Sequence, residues 1–225
     1  MILTIAELLA TDALGTIQAD LTRLEWRDGR ETAGSQARGM KRNKQADLSS
    51  PVGRRLRDAL SAALSAHPVL NAGARPRRFS RLLVSQTGEG GGYGPHVDNA
   101  LMGRGEARLR TDLSFTLFLT PPEEYEGGEL VVHGADGTQR IKAKAGDLVL
   151  YPSTELHEVA TVTQGTRTVC VGWIESLVAD AAQRAILFDL ANLQASLRES
   201  LPDGSGEQLV LDKTLANLLR MWARP

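Results

Sequence analysis

Cysteine is almost missing from this chain of 225 residues: Cys170 stands alone. A disulfide within the chain is therefore excluded, which fits a reducing compartment, and the expected location is cytoplasmic. Long apolar runs are missing too, and those present are too short to span a bilayer. The opening segment Met1-Ile2-Leu3-Thr4-Ile5-Ala6-Glu7 has no basic region ahead of its apolar residues, so no signal peptide is expected. Net charge is only −1, which gives no global reason to expect nucleic acid or a membrane as a partner. There is no internal repeat and no low-complexity tract. What is present is length for one large domain, or a domain plus an appendage, and 42% hydrophobic residues, enough for an ordinary core.

Histidine is also scarce, at four residues. His67 precedes Pro68 and His133 ends a strand before Gly134; both are expected to be structural. His96 differs. It lies in Tyr93-Gly94-Pro95-His96-Val97-Asp98-Asn99, presented by the flexible stretch Thr87-Gly88-Glu89-Gly90-Gly91-Gly92. In extended backbone, residues i and i+2 point to one side, so His96 and Asp98 can grip one ion together. His157, on a later strand, would be the third ligand. Two imidazoles and a carboxylate on one face of a metal leave the other face open, an arrangement suited to Fe(II) with a co-substrate and O2. Arg167 follows ten positions later. It is read with Val169, Val171 and Trp173 on one face of a strand, with Thr168, Cys170 and Gly172 on the other. If the first face points inward, Arg167 is a buried cation that needs an anion, and a guanidinium offers a carboxylate two parallel donors. Cys170 is then a core thiol.

Helices are expected over about 12–24, with Asp12 as N-cap and Leu14, Ile17, Leu21 and Leu24 on one face, and after Ser50, with Pro51 in the first turn and Leu56, Leu60 and Leu64 as the stripe. The polar, basic segment 35–47 reads as a solvated edge strand or loop, or as a wall of a substrate cleft. From Arg78 to Arg167 the texture is that of seven or eight short strands: 79–86, the His-x-Asp segment, 112–120, 129–133, 148–151, 156–162 and 166–174. In the third, Leu113, Phe115, Leu117 and Leu119 alternate with Ser114, Thr116 and Phe118. Asp136-Gly137 reads as a hairpin turn. Many short strands with close turns indicate a sandwich or jelly roll. The tail reads as a helical hairpin from about residue 177, with stripes Ile186/Leu190/Leu193/Leu197 and Leu211/Leu215/Leu218/Trp222 around the breaker Pro202-Asp203-Gly204-Ser205-Gly206. Those stripes need a covering surface, the barrel or a second subunit in a homo-oligomer.

The chain resembles the Fe(II)/2-oxoglutarate-dependent dioxygenases of the prolyl 4-hydroxylase type, and more narrowly the bacterial PKHD-type hydroxylases. The resemblance is carried by Tyr93 to Ala100, Arg110-Thr111-Asp112-Leu113-Ser114, Tyr125-Glu126-Gly127-Gly128-Glu129-Leu130, Ala145 to Pro152, Leu156-His157 and Gly165-Thr166-Arg167. It implies an α+β protein with a mainly β core: a double-stranded β-helix with packed N-terminal helices (residues 1–176, core about 78–176) and a C-terminal helical extension (177–225). It implies iron on His96, Asp98 and His157, and the far carboxylate of 2-oxoglutarate on Arg167. Trp173 and Tyr93 are expected to line the pocket. Gln86 takes the place of a Tyr that relatives often carry ten residues before the first His, and Phe118 that of a second Tyr; Thr116 is the candidate partner beside Arg167. The implied reaction consumes 2-oxoglutarate and O2, with ascorbate as a reductant, and hydroxylates a peptidyl side chain such as proline or a small metabolite, giving succinate and CO2. The competing readings are a cupin-like barrel holding Zn or Ni, which has no use for Arg167, and a pseudoenzyme.

Overall fold

The computed structural model describes residues 1–32 and 39–224. In chain order the first third gives β1 (Leu3–Ile5), α1 (Thr11–Leu21), β2 (Trp26–Asp28), β3 (Lys41–Arg42), β4 (Lys44–Ala46), α2 (Pro51–Ala66) and α3 (Pro68–Ala74). The middle gives β5 (Pro76–Phe79), β6 (Leu83–Thr87), β7 (Gly92–His96), β8 (Leu101–Met102), β9 (Leu109–Arg110), β10 (Leu113–Phe118), β11 (Tyr125–Gly127), β12 (Leu130–Gly134) and β13 (Gly137–Ile141). It continues through β14 (Leu148–Pro152), β15 (Leu156–Val159), β16 (Val162–Gly165) and β17 (Arg167–Ser176), before α4 (Ala181–Ser200) and α5 (Gly206–Trp222).

Two antiparallel sheets make the core. The larger runs β1-β14-β10-β17-β6-β4-β2, with β5 also on β17; the smaller runs β13-β12-β15-β7-β3. This is a double-stranded β-helix rather than a closed barrel. The alternation in β10 decides its two faces. Leu113, Phe115 and Leu117 join a core with Leu56, Leu60 and Leu64 of α2 and Ile17 of α1. Phe118, from the other face, packs with Val149, Val169, Leu130 and Val132 between the sheets. The face that carries Ser114 and Thr116 therefore looks into the space between the sheets, where a site can form.

Helix α2 follows its sequence signals. Ser50 caps it by accepting a hydrogen bond from the Gly53 N–H at 3.0 Å, and Pro51 fills the first turn. Gly53 is required, because a Cβ there would stand 2.5 Å from the Asp47 carbonyl oxygen. Helix α1 corrects its expectation: the N-cap is Ala10, with no side-chain bond, and Asp12 sits inside the first turn. There its charge still favours the positive helix end. The helix stops at Leu21, and Leu24 reaches the same core from beyond it.

The strand expected over 79–86 is two strands. Between them Ser80 N–H donates to the Trp173 carbonyl at 2.8 Å, and its hydroxyl accepts from the Trp173 N–H at 2.9 Å. That exchange bends the chain while β5 and β6 both stay on β17. Of the basic segment 35–47, residues 35–38 lie outside those described. The rest forms β3, at the edge of the small sheet, and β4, within the large one.

The tail is a helical hairpin packed on α3. Asp180 and Ser205 cap α4 and α5. The stripe expected on α4 is corrected: Ile186 and Leu193 are 47% and 48% exposed, whereas Arg184, Leu187 and Phe188 are buried. The reason is that α4 has two neighbours. Phe188 lies against Gly73 of α3, and Leu187, Leu190 and Leu197 meet Leu211, Leu215 and Trp222 of α5. A single-face pattern does not describe a helix wedged between two others. No helix among the described residues is long and apolar enough to cross a membrane.

Candidate active site

The space between the sheets is a cavity of about 530 Å³, within the range of small-molecule sites. Three of its wall residues, His96, Asp98 and His157, each bring one ligand atom to within 4.8 Å of the others. Strand pairing does this. His96 on β7 and His157 on β15 are direct cross-strand partners, so their side chains share a face. Asp98 lies two residues past His96, and its Oδ2 stands 3.5 Å from His157 Nε2.

Each ring is locked from behind. His96 Nδ1 is 2.8 Å from the Gly94 carbonyl oxygen, and His157 Nδ1 is 2.9 Å from that of Glu155. A carbonyl only accepts, so both Nδ1 atoms carry the proton and both Nε2 lone pairs are left toward the centre. This is the outer-sphere arrangement that orients metal-ligating imidazoles. Burial, and then the neighbouring His157, hold His96 down at about 4, so the ring is neutral at ordinary pH. Tyr93 stacks on it at 3.6 Å. Ser114 donates to Asp98 Oδ2 at 2.6 Å. Since its proton is used there, Ser153 donates to Ser114 across 2.7 Å.

Arg167, at the start of β17, is 2% exposed, and its Nε and Nη2 have no hydrogen-bond partner. Burial lowers its pKa, offset by the phenols Tyr125 and Tyr151. Its guanidinium lies 5.3 Å from the centre of the Phe118 ring. A buried cation with idle donors, beside the Tyr125 phenol, is suited to an anion from outside the chain. The donor set of the triad and this orphaned fork fit a metal ion and an acidic co-substrate held in one cavity.

Tyr93 and Trp173, expected along the pocket wall, line that cavity, and so does Thr116, the candidate partner beside Arg167. Gln86 does not. On β6 it is Ser85 and Thr87 that face inward, and Gln86 between them points away because successive strand residues alternate. Sequence reasoning missed Tyr151, whose hydroxyl is buried among Thr116, Asp98 and Arg167. Burial, then the Asp98 carboxylate, push its pKa up. It also missed Tyr125 and Ser114, while Lys41, from the basic segment read as a solvated edge or a cleft wall, lines the cavity. Tyr151 shares the inward face of β14 with Val149, a parity that only the pairing of β14 with β10 reveals. His67 caps α3, accepting from the Leu70 N–H at 3.5 Å. His133 sits 3.0 Å from the Thr138 hydroxyl. Neither lines the cavity.

Comparison with known proteins agrees with this geometry. Residues 82–175 match the family model of the 2OG-Fe(II) oxygenase superfamily. A PKHD-type hydroxylase of Hyphomonas neptunium is 55% identical, over 98% of this chain and 99% of its own length. One of Synechococcus elongatus is 45% identical, over 99% of this chain and all of its own. The chain belongs to the PKHD-type hydroxylases. It is an oxidoreductase of the Fe(II)- and 2-oxoglutarate-dependent type, and its family implies 2-oxoglutarate, O2 and a substrate as its partners. Among solved structures, the Pseudomonas putida prolyl-4-hydroxylase superposes with a TM-score of 0.53 at 22% identity, covering 78% of this hydroxylase and 92% of that chain. A Trichoplax adhaerens prolyl hydroxylase, in complex with a hypoxia inducible factor oxygen degradation domain peptide fragment, gives 0.59 at 14% identity, covering 82% and 86%. At such identities the likeness extends to the fold.

Proposed function

We propose that this hydroxylase holds one Fe(II) on His96, Asp98 and His157, and 2-oxoglutarate with its far carboxylate on Arg167. Its products are then succinate, CO2 and a hydroxylated substrate. The observation that carries the reading is the buried guanidinium with two idle donors in the cavity of the triad. A cupin-like metal barrel gives those donors no purpose.

Bound iron supplies the O2-dependent oxidation that links loss of CO2 from 2-oxoglutarate to insertion of oxygen into a C–H bond. The protein supplies position and dryness. The Gly94 and Glu155 carbonyls fix which imidazole nitrogen is free. Ser114, held by Ser153, fixes the Asp98 carboxylate. Arg167 anchors the co-substrate at the end away from the reaction, and the Thr116 and Tyr151 hydroxyls lie beside it as further hydrogen-bonding groups. Gln86 has no part, since it faces away. The substrate is a peptidyl side chain or a small metabolite.

The test is succinate formation from 2-oxoglutarate, with co-substrate affinity measured anaerobically at fixed Fe(II). Loss of a desolvated, charge-assisted pair costs roughly 2–5 kcal/mol, so Arg167→Ala is expected to weaken 2-oxoglutarate binding by about 30-fold to several thousand-fold while iron still binds. Arg167→Lys recovers only part, lacking the planar fork. Unchanged affinity in Arg167→Ala would remove 2-oxoglutarate from this position.

A further inference from the structure

The cavity holds a second cation besides Arg167. Lys41 on β3 stands directly opposite Tyr93 on β7, and its Nζ lies 5.6 Å from the centre of the Tyr93 ring. That ring is the one stacked on His96. Lys41 thus belongs to the wall near the triad, on the small sheet, whereas Arg167 belongs to the large one. Burial depresses the Lys41 ammonium's pKa, and among the described residues it forms no ion pair. The single carboxylate lining the described cavity is Asp98, which belongs to the triad and receives Ser114. A half-buried ammonium set over an aromatic face, with no ion pair among the described residues, favours an incoming anion.

The same sign of charge continues beside the cavity. Arg42 and Lys44 line a second hollow of about 420 Å³ that shares Asn43 with the cavity wall. Its carboxylate, Asp28, is paired with Arg30. Arg42 and Lys44 have no ion pair among the described residues. In a chain of net charge −1, these cations, without ion pairs among the described residues, draw anions toward this wall.

Two separate cations on opposite sheets suit two separate anions. We propose that the hydroxylated substrate carries an anionic group, a carboxylate or a phosphate, which Lys41 receives while Arg167 keeps the co-substrate. This inference rests on the Fe(II)/2-oxoglutarate reading and adds the substrate class to it.

The test uses the Fe(II)- and 2-oxoglutarate-loaded protein under ¹⁸O2, as wild type, Lys41→Gln and Lys41→Arg, with mass spectrometry for ¹⁸O-labelled products. One arm supplies two pools of N-acetylated tetrapeptide amides, randomised except for one fixed Glu in the first pool and Gln in the second. The other arm supplies the small-molecule fraction of a bacterial extract, resolved by anion exchange. The expected products are anionic. They fall by about tenfold or more in Lys41→Gln and stay within about threefold of wild type in Lys41→Arg, as for loss and retention of a charge-assisted contact. Products in the Glu pool identify a peptidyl carboxylate; products in the extract arm alone identify a small acid or phosphate ester. Three results would overturn the proposal: neutral or cationic products, anionic products made equally by Lys41→Gln, or no anionic product in either arm from protein that turns over 2-oxoglutarate. A raised 2-oxoglutarate requirement in Lys41→Gln would reassign Lys41 to the co-substrate and overturn it as well. Absence of succinate formation in the wild type would instead remove the underlying reading, and this inference with it.

Discussion

His96 and His157 face each other across the β7–β15 ladder, with ring centres 4.3 Å apart. Each ring is held through Nδ1 by the carbonyl of the residue two positions before it, Gly94 in one case and Glu155 in the other. The two strands thus repeat one local device, and the pair is set before any ion arrives. Preformed ligands lose little freedom on binding, which is how a site with only three protein ligands can hold a metal.

Anaerobic addition of Fe(II) and 2-oxoglutarate to the wild type is expected to give a visible charge-transfer band. His96→Ala and His157→Ala should each lose it, and His133→Gln should keep it, because His133 is engaged with Thr138 outside the cavity. A wild-type band in both His→Ala variants would rule out this ligand assignment.

Ser114 acts through Asp98. Ser114→Ala removes the 2.6 Å hydrogen bond to Oδ2 and leaves the Ser153 hydroxyl without its acceptor in a buried place. Loss of such an outer-sphere partner is expected to weaken Fe(II) affinity by about 10- to 100-fold. Stranding the Ser153 hydroxyl should also cost about 1–3 kcal/mol of stability. Fe(II) titration alongside urea unfolding separates the two effects; iron affinity equal to wild type would show that Asp98 is held by other means.

The site was legible where its residues are close in sequence or share a strand period. His-x-Asp needs only extended backbone, and the Arg167/Val169/Val171/Trp173 face follows from period two. The same rule applied to Leu83–Thr87 would have excluded Gln86, once Ser85 and Thr87 were known to face inward, but nothing local says which parity a strand adopts. Position counting from His96 chose the wrong one. Tyr151 was hidden for the opposite reason: its role appears only when β14 pairs with β10 and sets it opposite Ser114. Lys41 was legible only as part of a basic segment that could wall a cleft; its place beside Tyr93 depends on an edge pairing with β7 across about fifty residues. Helix α4 misled because a period of 3.6 marks one apolar face, whereas α3 and α5 bury two.

That correction can be measured in the tail. Leu187 is fully buried, and Leu187→Ala should cost about 2–5 kcal/mol through lost burial and a residual cavity. Leu193 is 48% exposed, and Leu193→Ala should stay within about 0.5 kcal/mol of wild type. Chemical denaturation of the two variants checks this. Equal losses would restore the single-stripe reading of α4.

Gly128 ties the backbone to the Arg167 end of the cavity. Its φ is +67°, a conformation that side chains other than glycine's adopt at a cost. A Cβ there would also stand 2.9 Å from Val162 Cγ2, 3.1 Å from Arg167 Cδ and 3.2 Å from the Tyr125 ring. All three are buried, but of them the arginine borders the cavity, so its stem is the group with room to give. Gly128→Ala is therefore expected to lose more than about 1 kcal/mol of stability, and to weaken 2-oxoglutarate binding by about tenfold or more as the guanidinium shifts. Fe(II) binding should hold, since the triad lies on other strands. Gly134→Ala is the control: φ there is not positive, and the nearest atom to a Cβ is 3.8 Å away. Anaerobic titrations of both variants with Fe(II) and then 2-oxoglutarate decide the matter. If Gly128→Ala folds and binds 2-oxoglutarate as the wild type does, the Arg167 stem is free to move without consequence, and Gly128 matters only for its turn.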